Sequence, residues 1–179
     1  EVHLRLSPIP ESIMSAICHF PSLEDAVMTA QQVIQYGVPI ARIEMLNADQ
    51  MGISINYSKL KDIEAVPTLF FEFHGSEISN NENIKIVEEI SKDNNGSSFK
   101  WAKDLEERNK LWKARWDVYY SVKALINNGR VYSTDVCVPI SNITECVNFA
   151  EEQAKKFGVR APMVGHMGDG NFHVVLPFD

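Results

Sequence analysis

The sequence predicts an α+β fold: tandem ferredoxin-like (split βαβ) units with an antiparallel sheet, the second unit truncated. Three observations predict it. From Ile13 to Trp101 the periodicity runs strand, helix, strand, connection, strand, helix, strand, the order of a split βαβ unit. After a long helical stretch the pattern restarts as strand, helix, strand, strand, and stops a helix and a strand short of a second copy. The last two strands flank Gly168-Asp169-Gly170-Asn171, whose Gly and Asn accept the positive φ of a tight reversal.

Each element has its own signal. Val2 to Leu6 alternates apolar and polar, reads as a strand, and is ended by Pro8 and Pro10, so residues 1–10 form an entry strand and linker. Ile13–Phe20 is the next strand. Ser22, with Asp25 three residues on, opens a helix whose stripe is Leu23, Ala26, Val27, Ala30, Val33 and Ile34 and which ends before Gly37. Pro39–Leu46 reads as a strand and a short helix follows to about Asn56. Pro67–His74 is an apolar, aromatic strand. Asn80–Ser91 is a helix, and Asn94-Asn95-Gly96 turns the chain into a strand through Phe99 and Trp101. Residues 11–102 therefore make the first unit, with its helices expected on one face of the sheet.

Residues 103–179 make the second, incomplete half. It opens on the longest predicted helix, Asp104 to Ile126, stopped by Asn127-Asn128-Gly129. Arg130–Val138 is a strand. Asn142, with Glu145 three residues on, opens a helix to Phe157 that Gly158 closes. Val164–Met167 and Phe172–Leu176 form the hairpin.

Composition sets limits on function. The 179 residues carry a formal charge of −7, and no basic patch offsets it, which argues against nucleic acid or an anionic membrane as partner. No apolar run reaches the ~20 residues of a transmembrane helix. Cys18, Cys137 and Cys146 form no CxxC and no even framework, which favours a reducing compartment. The chain opens without Met, inside a strand-like alternation and with no targeting segment, the mark of a piece of something longer.

The hairpin holds the main chemical candidates. A turn closed at Gly168–Asn171 sets Met167 opposite Phe172 and His166 opposite His173, with Cβ atoms roughly 4.5–5.5 Å apart. Two imidazoles so placed can chelate one divalent ion, with further ligands supplied from elsewhere; single histidines in strands are more commonly structural. Arg115 lies in Leu111-Trp112-Lys113-Ala114-Arg115-Trp116, midway along the long helix. Its planar fork matches a carboxylate, although a solvated surface arginine is the commoner case. Trp112, Trp116 and Tyr119 read as helix core. His3, His19 and His74 have no partner spacing and read as structural, and Glu44 receives no role.

Gly165-His166-Met167-Gly168-Asp169-Gly170-Asn171-Phe172-His173 resembles the metal-binding signature of the FAD-linked 2-hydroxyacid dehydrogenases, a group of the vanillyl-alcohol-oxidase type. Tyr132 to Ser141 (YSTDVCVPIS), Ser58-Lys59-Leu60, and Pro67 to Gly75 (PTLFFEFHG) are similar to its mitochondrial, D-lactate-oxidising branch. The likeness runs over nearly the whole chain. It implies the substrate-binding, or cap, portion of a flavin-dependent D-2-hydroxyacid dehydrogenase, oxidising D-lactate or a similar monocarboxylate with hydride transfer to FAD. Residues 1–10 would then end the FAD-binding domain, which lies outside this chain and binds most of the FAD. Arg115 matches the arginine that holds the substrate carboxylate, and His166 and His173 match two ligands of a divalent metal, Zn or Mn.

Asp135 and Asn171 fall in matched motifs as possible supports. The family's third ligand, a Glu, and the neighbouring His base lie beyond Asp179, so no catalytic residue is assigned within the chain and the piece alone should be inactive. The resemblance also implies two plaits face to face, a mitochondrial location, and an electron acceptor such as cytochrome c or another flavoprotein.

Relatives acting on the dicarboxylate D-2-hydroxyglutarate carry Thr, Lys and Asn where this chain has Tyr119, Ser133 and Val175. Losing a cation and two polar partners favours a monocarboxylate. Two other readings stay open on the residues alone: a non-enzymatic ferredoxin-like module binding a small acid or metal, and, more weakly, a metal-dependent hydrolase.

Overall fold

The computed structural model describes every residue except Ser7, Asp62, Asn128 and Asp179. In chain order its elements are β1 (Ser12–His19), α1 (Leu23–Gln35), β2 (Arg42–Leu46), α2 (Ala48–Ser58), β3 (Thr68–Gly75), α3 (Glu77–Asp93), β4 (Ser97–Ala102), α4 (Leu105–Trp116), α5 (Val118–Lys123), β5 (Arg130–Ser133), β6 (Val136–Cys137), α6 (Ile143–Phe157), β7 (Met163–His166) and β8 (Asn171–Phe178). The strands form one eight-stranded antiparallel sheet in the order β4-β1-β3-β2-β7-β8-β5, with β6 also on β8.

The first four strands lie as 4-1-3-2, the order a split βαβ unit requires. Strands β5, β7 and β8 repeat its 1-3-2 part. The two units meet edge to edge through β2 and β7 and share one sheet, so the face-to-face arrangement does not hold within this chain. An exposed edge strand leaves its N–H and C=O groups unpaired, and joining edges satisfies both at once.

Both faces of the sheet are covered, because its central strands are apolar on both sides. Phe71 and Phe73 face α1, α3 and α6, whereas Phe70, Ile17 and Leu46 face α2, α4 and α5. Helices on one face alone, as the sequence suggested, would leave Phe70 and Ile17 in water. Phe71 is fully buried between Phe73 and Phe99, with ring centroids 6.4 and 6.3 Å away.

Local signals place the helix starts. The Ser22 hydroxyl accepts from the Asp25 N–H at 3.0 Å, and the Asn47 Oδ1 accepts from Gln50 N–H at 3.0 Å. Asn47 also accepts from Met163 N–H at 2.9 Å and donates to the Ala161 carbonyl at 3.0 Å, which staples β7 to the corner after β2.

Three expectations fail for long-range reasons. Glu1–Leu6 forms no strand and is exposed, since alternation makes a strand only where an edge accepts it. The long helix breaks at Asp117, whose carboxylate is held by the Ser58 hydroxyl at the end of α2 and by Lys113 Nζ at 2.9 Å. The expected stop at Asn128 lies outside the described residues. The strand at 130–138 splits at Thr134-Asp135, where Thr134 Oγ1 accepts from the Val174 N–H at 2.9 Å.

His19 yields a pH prediction. It is buried in β1, its Nδ1 lies 2.8 Å from Thr68 Oγ1, and burial pushes the imidazole below its ordinary value. With the folded value below the unfolded one, protons favour the unfolded chain. The contribution is fully present above the unfolded value, about 6.5, and is lost as pH falls from there through the folded value. Denaturant midpoints between pH 7 and 5 should fall more steeply for the wild type than for His19→Asn, whose amide can replace the Nδ1 bond. Equal slopes would show that His19 does not titrate against folding.

Candidate active site

The hairpin differs in register from the sequence expectation. Val164 pairs with His173, Gly165 with Phe172, and His166 with Asn171, so the two histidines are diagonal rather than opposed. The loop is longer because Met167–Asp169 forms a 3₁₀ turn closed by Gly170 at φ +68°. Met167 drives this. Its buried side chain fills the space above Gly165, where an added Cβ would stand 2.0 Å from Met167 Cε.

Diagonal neighbours share a face of the sheet. The His166 and His173 rings lie there 5.6 Å apart between centroids, at 83° to one another. Each ring spends its Nδ1. His166 Nδ1 is 2.8 Å from Glu44 Oε1, and His173 Nδ1 donates to the Thr134 carbonyl at 2.7 Å. A carbonyl can only accept, so His173 carries its proton on Nδ1 and offers Nε2 as a lone pair. A carboxylate imposes the same tautomer on neutral His166. Metal-binding histidines typically show this outer-partner pattern, and the donor set fits two ligands of a divalent ion. Among the described residues no group of three or more His, Cys, Asp or Glu is placed to hold a metal.

Glu44 is the residue that sequence reasoning passed over. It sits in β2 directly opposite His166, with its side chain 10% exposed. Its second oxygen, Oε2, accepts from Arg115 Nε at 2.7 Å. Burial works to raise this carboxyl, but the hydrogen bonds and charges of His166 and Arg115 outweigh it and hold it below the usual carboxylate range. The same hydrogen bond holds His166 above its ordinary value, against the effect of burial. One signal was available: Glu44 interrupts an otherwise apolar alternation with Ile43 and Met45.

Arg115 is positioned by the face of α4 it shares with Trp112. The Trp112 indole is buried, donates to Ser15 Oγ at 2.9 Å, and carries the Arg42 guanidinium 4.4 Å above its ring. Arg115 follows three residues later and so points at the same sheet. Trp116 and Tyr119, expected in the core, are 53% and 50% exposed. Asp135 and Asn171 meet each other, Asn171 Nδ2 donating to Asp135 Oδ1 at 2.8 Å, and Asp135 lies 3.7 Å from His173 Nδ1. Val175 is buried in the core beside α5, and Ser133 opposite it is exposed.

The fold and the cluster can be compared with known proteins. Residues 9–179 match the family of FAD linked oxidases, C-terminal domain. The chain belongs to this family. Within it, the chain is 45% identical over 176 residues to "Probable D-lactate dehydrogenase, mitochondrial" of Danio rerio, covering 98% of this chain and 35% of that protein. It is 34% identical to the mitochondrial "D-lactate dehydrogenase [cytochrome]" of Arabidopsis thaliana, covering 100% and 31%. The chain thus spans about a third of these relatives' length. Alkyldihydroxyacetonephosphate synthase has the same fold, with TM-score 0.67 and 16% identity over 96% of this chain and 36% of that one. None of these relatives is named as a binding module or a hydrolase.

Proposed function

We propose that this FAD-linked oxidase domain is the substrate-binding part of a mitochondrial flavin-dependent D-2-hydroxyacid dehydrogenase acting on D-lactate or a similar monocarboxylate. Residues 11–102 and 103–179 are the two halves of its substrate domain, and residues 1–10 lead in from the FAD-binding domain. The observation that carries the reading is one sheet face on which two Nε2-presenting histidines, their ring centroids 5.6 Å apart, stand beside Arg115.

His166 and His173 would hold a divalent metal, Zn²⁺ or Mn²⁺, through their free Nε2 atoms, with Asp135 and Asn171 supporting the rim beside them. When bound, the metal would supply Lewis acidity at the substrate hydroxyl and FAD would supply the hydride acceptor. Arg115 spends only Nε on Glu44. Among the described residues its terminal nitrogens have no hydrogen-bond partner, which suits them to a substrate carboxylate. Fixing that group aims Cα. Cytochrome c or another flavoprotein takes the electrons onward.

Tyr119, Ser133 and Val175 offer no second cation, and Val175 offers no polar atom at all. The dicarboxylate D-2-hydroxyglutarate should therefore be used at least about tenfold less well than D-lactate, because its second carboxylate would be desolvated without a partner. The test is anaerobic stopped-flow reduction of the full-length protein's flavin. Bleaching by D-lactate that chelators abolish and Zn²⁺ or Mn²⁺ restores is the expected result. A flavin that D-lactate leaves oxidised overturns the reading.

A further inference from the structure

We propose that Glu44 is the positioning residue of this site, setting the metal-binding face of His166 with one oxygen and the substrate-binding face of Arg115 with the other. The proposal rests on the functional reading above and names a residue to which that reading gives no part.

Strand geometry brings Glu44 there. Ile43 and Met45 on either side point into the core under α1, α3 and α6, so Glu44 must point to the opposite face, toward α4. The β2–β7 ladder sets it directly opposite His166, and the bonds of Asn47 to Met163 and Ala161 hold that register. A carboxylate is the one side chain of this length that accepts at both ends. Glu44 Oε1 meets His166 Nδ1 at 2.8 Å and Oε2 meets Arg115 Nε at 2.7 Å, so each oxygen has its own donor.

A second carboxylate of the same sheet, Glu72, also meets a histidine, His74 at 2.8 Å, and an arginine, but holds its arginine differently. Arg42 gives Glu72 both Nε and Nη2, at 3.1, 2.8 and 2.9 Å, in a two-pronged clasp. Arg115 gives Glu44 only Nε. Neither terminal nitrogen of Arg115 bonds the carboxylate that anchors Nε, which leaves that fork for a second anion. His166 is oriented in the same manner, its free Nε2 directed away from Glu44. Glu44 thus fixes two functional groups while occupying neither of their working ends.

The test uses the full-length flavoprotein stripped of metal by chelation, with Glu44→Gln and Glu44→Asp. Glutamine keeps the volume but accepts at one end only, so it must turn its amide N–H₂ toward either His166 or Arg115. Titration calorimetry with Zn²⁺ and with Mn²⁺ should show affinity weakened about 10–100-fold, as losses of such outer partners typically do. At saturating metal, KM for D-lactate should rise at least about tenfold. Where the amide N–H₂ faces His166, ¹⁵N-histidine NMR of the metal-free protein should show His166 leaving its Nδ1–H form; where it faces Arg115, the KM rise carries the effect. A purely structural ion pair would lower Tm and move none of these three.

Wild-type metal affinity, KM and His166 tautomer in Glu44→Gln overturn the proposal, whatever happens to Tm. If that variant does not fold, Glu44→Asp decides. It keeps the charge but is one methylene short, so it should lose one of the two partners, with metal affinity or KM impaired; both unchanged overturns the proposal. A wild-type protein that neither binds Zn²⁺ or Mn²⁺ nor is reduced by D-lactate overturns the functional reading itself, and this assignment with it. With a wild type that does both, unchanged variants remove Glu44 alone.

Discussion

Replacing Arg115 with alanine in the full-length protein lowers kcat/KM for D-lactate by roughly 10- to 150-fold. The figure follows from losing a charge-assisted hydrogen-bond set worth about 1.5–3 kcal/mol. On the proposed function the carboxylate contact also aims Cα, so kcat should fall with it rather than KM alone. Arg115→Lys keeps the charge without the fork and should recover only part of the loss, since a lysine point charge lacks the planar two-pronged match to a carboxylate.

The structure adds a stability cost. Arg115 is 20% exposed and its partner Glu44 10%, so alanine leaves a buried carboxylate with a single donor and lowers Tm. Zn²⁺ and Mn²⁺ affinity stays within a few-fold of wild type, because the Glu44–His166 bond does not pass through Arg115. Steady-state kinetics, thermal unfolding and metal titration on the same preparations check all three. Wild-type kcat/KM in Arg115→Ala would make this an ordinary buried ion pair and remove the substrate anchor.

Gly170→Ala has the largest expected effect on folding. Gly170 lies at φ +68°, where an L side chain costs about 1–2 kcal/mol. Its added Cβ would stand 2.1 Å from the Val138 carbonyl oxygen. That oxygen is backbone, and Val138 is tied back by its own N–H to the Gly170 carbonyl at 2.9 Å, so it cannot simply turn aside. Overpacking of this kind typically adds about 1–3 kcal/mol, for a total of about 2–5 kcal/mol.

The chain from Gly170 to His173 carries one of the two imidazoles, so on the proposed function metal affinity should fall together with stability. Gly168→Ala is the control: a Cβ there meets nothing within 4 Å and the backbone is not left-handed, so both properties stay near wild type. Calorimetric Tm and Zn²⁺ titration of the two variants compare them directly. Equal Tm values for Gly170→Ala and wild type would mean that the loop relaxes and does not set the hairpin.

Much of the architecture is legible from short-range signals. The Ser22 cap, the α1 stripe ending before Gly37, and the αL Gly158 after Phe157 all act within a turn or two of chain, and each stands where the periodicity put it. The strand–helix order from Ser12 to Ala102 follows from the same local patterns, and the 4-1-3-2 sheet follows from that order because antiparallel βαβ units close in few other ways. His166 and His173 are likewise legible as a same-face pair, since two strands flanking a Gly-rich turn must form a hairpin.

What only the tertiary structure decided are the contacts between residues distant in sequence. The helix break depends on Ser58 meeting Asp117, 59 residues apart. The diagonal placing of the histidines depends on Met167 packing over Gly165 rather than continuing the strand. Glu44 meets His166 across 122 residues and Arg115 across 71. No periodicity encodes such pairings. Hydrophobic patterning specifies which face a residue takes, whereas the partner it meets there is set by strand register and by the whole sheet's choice of neighbours.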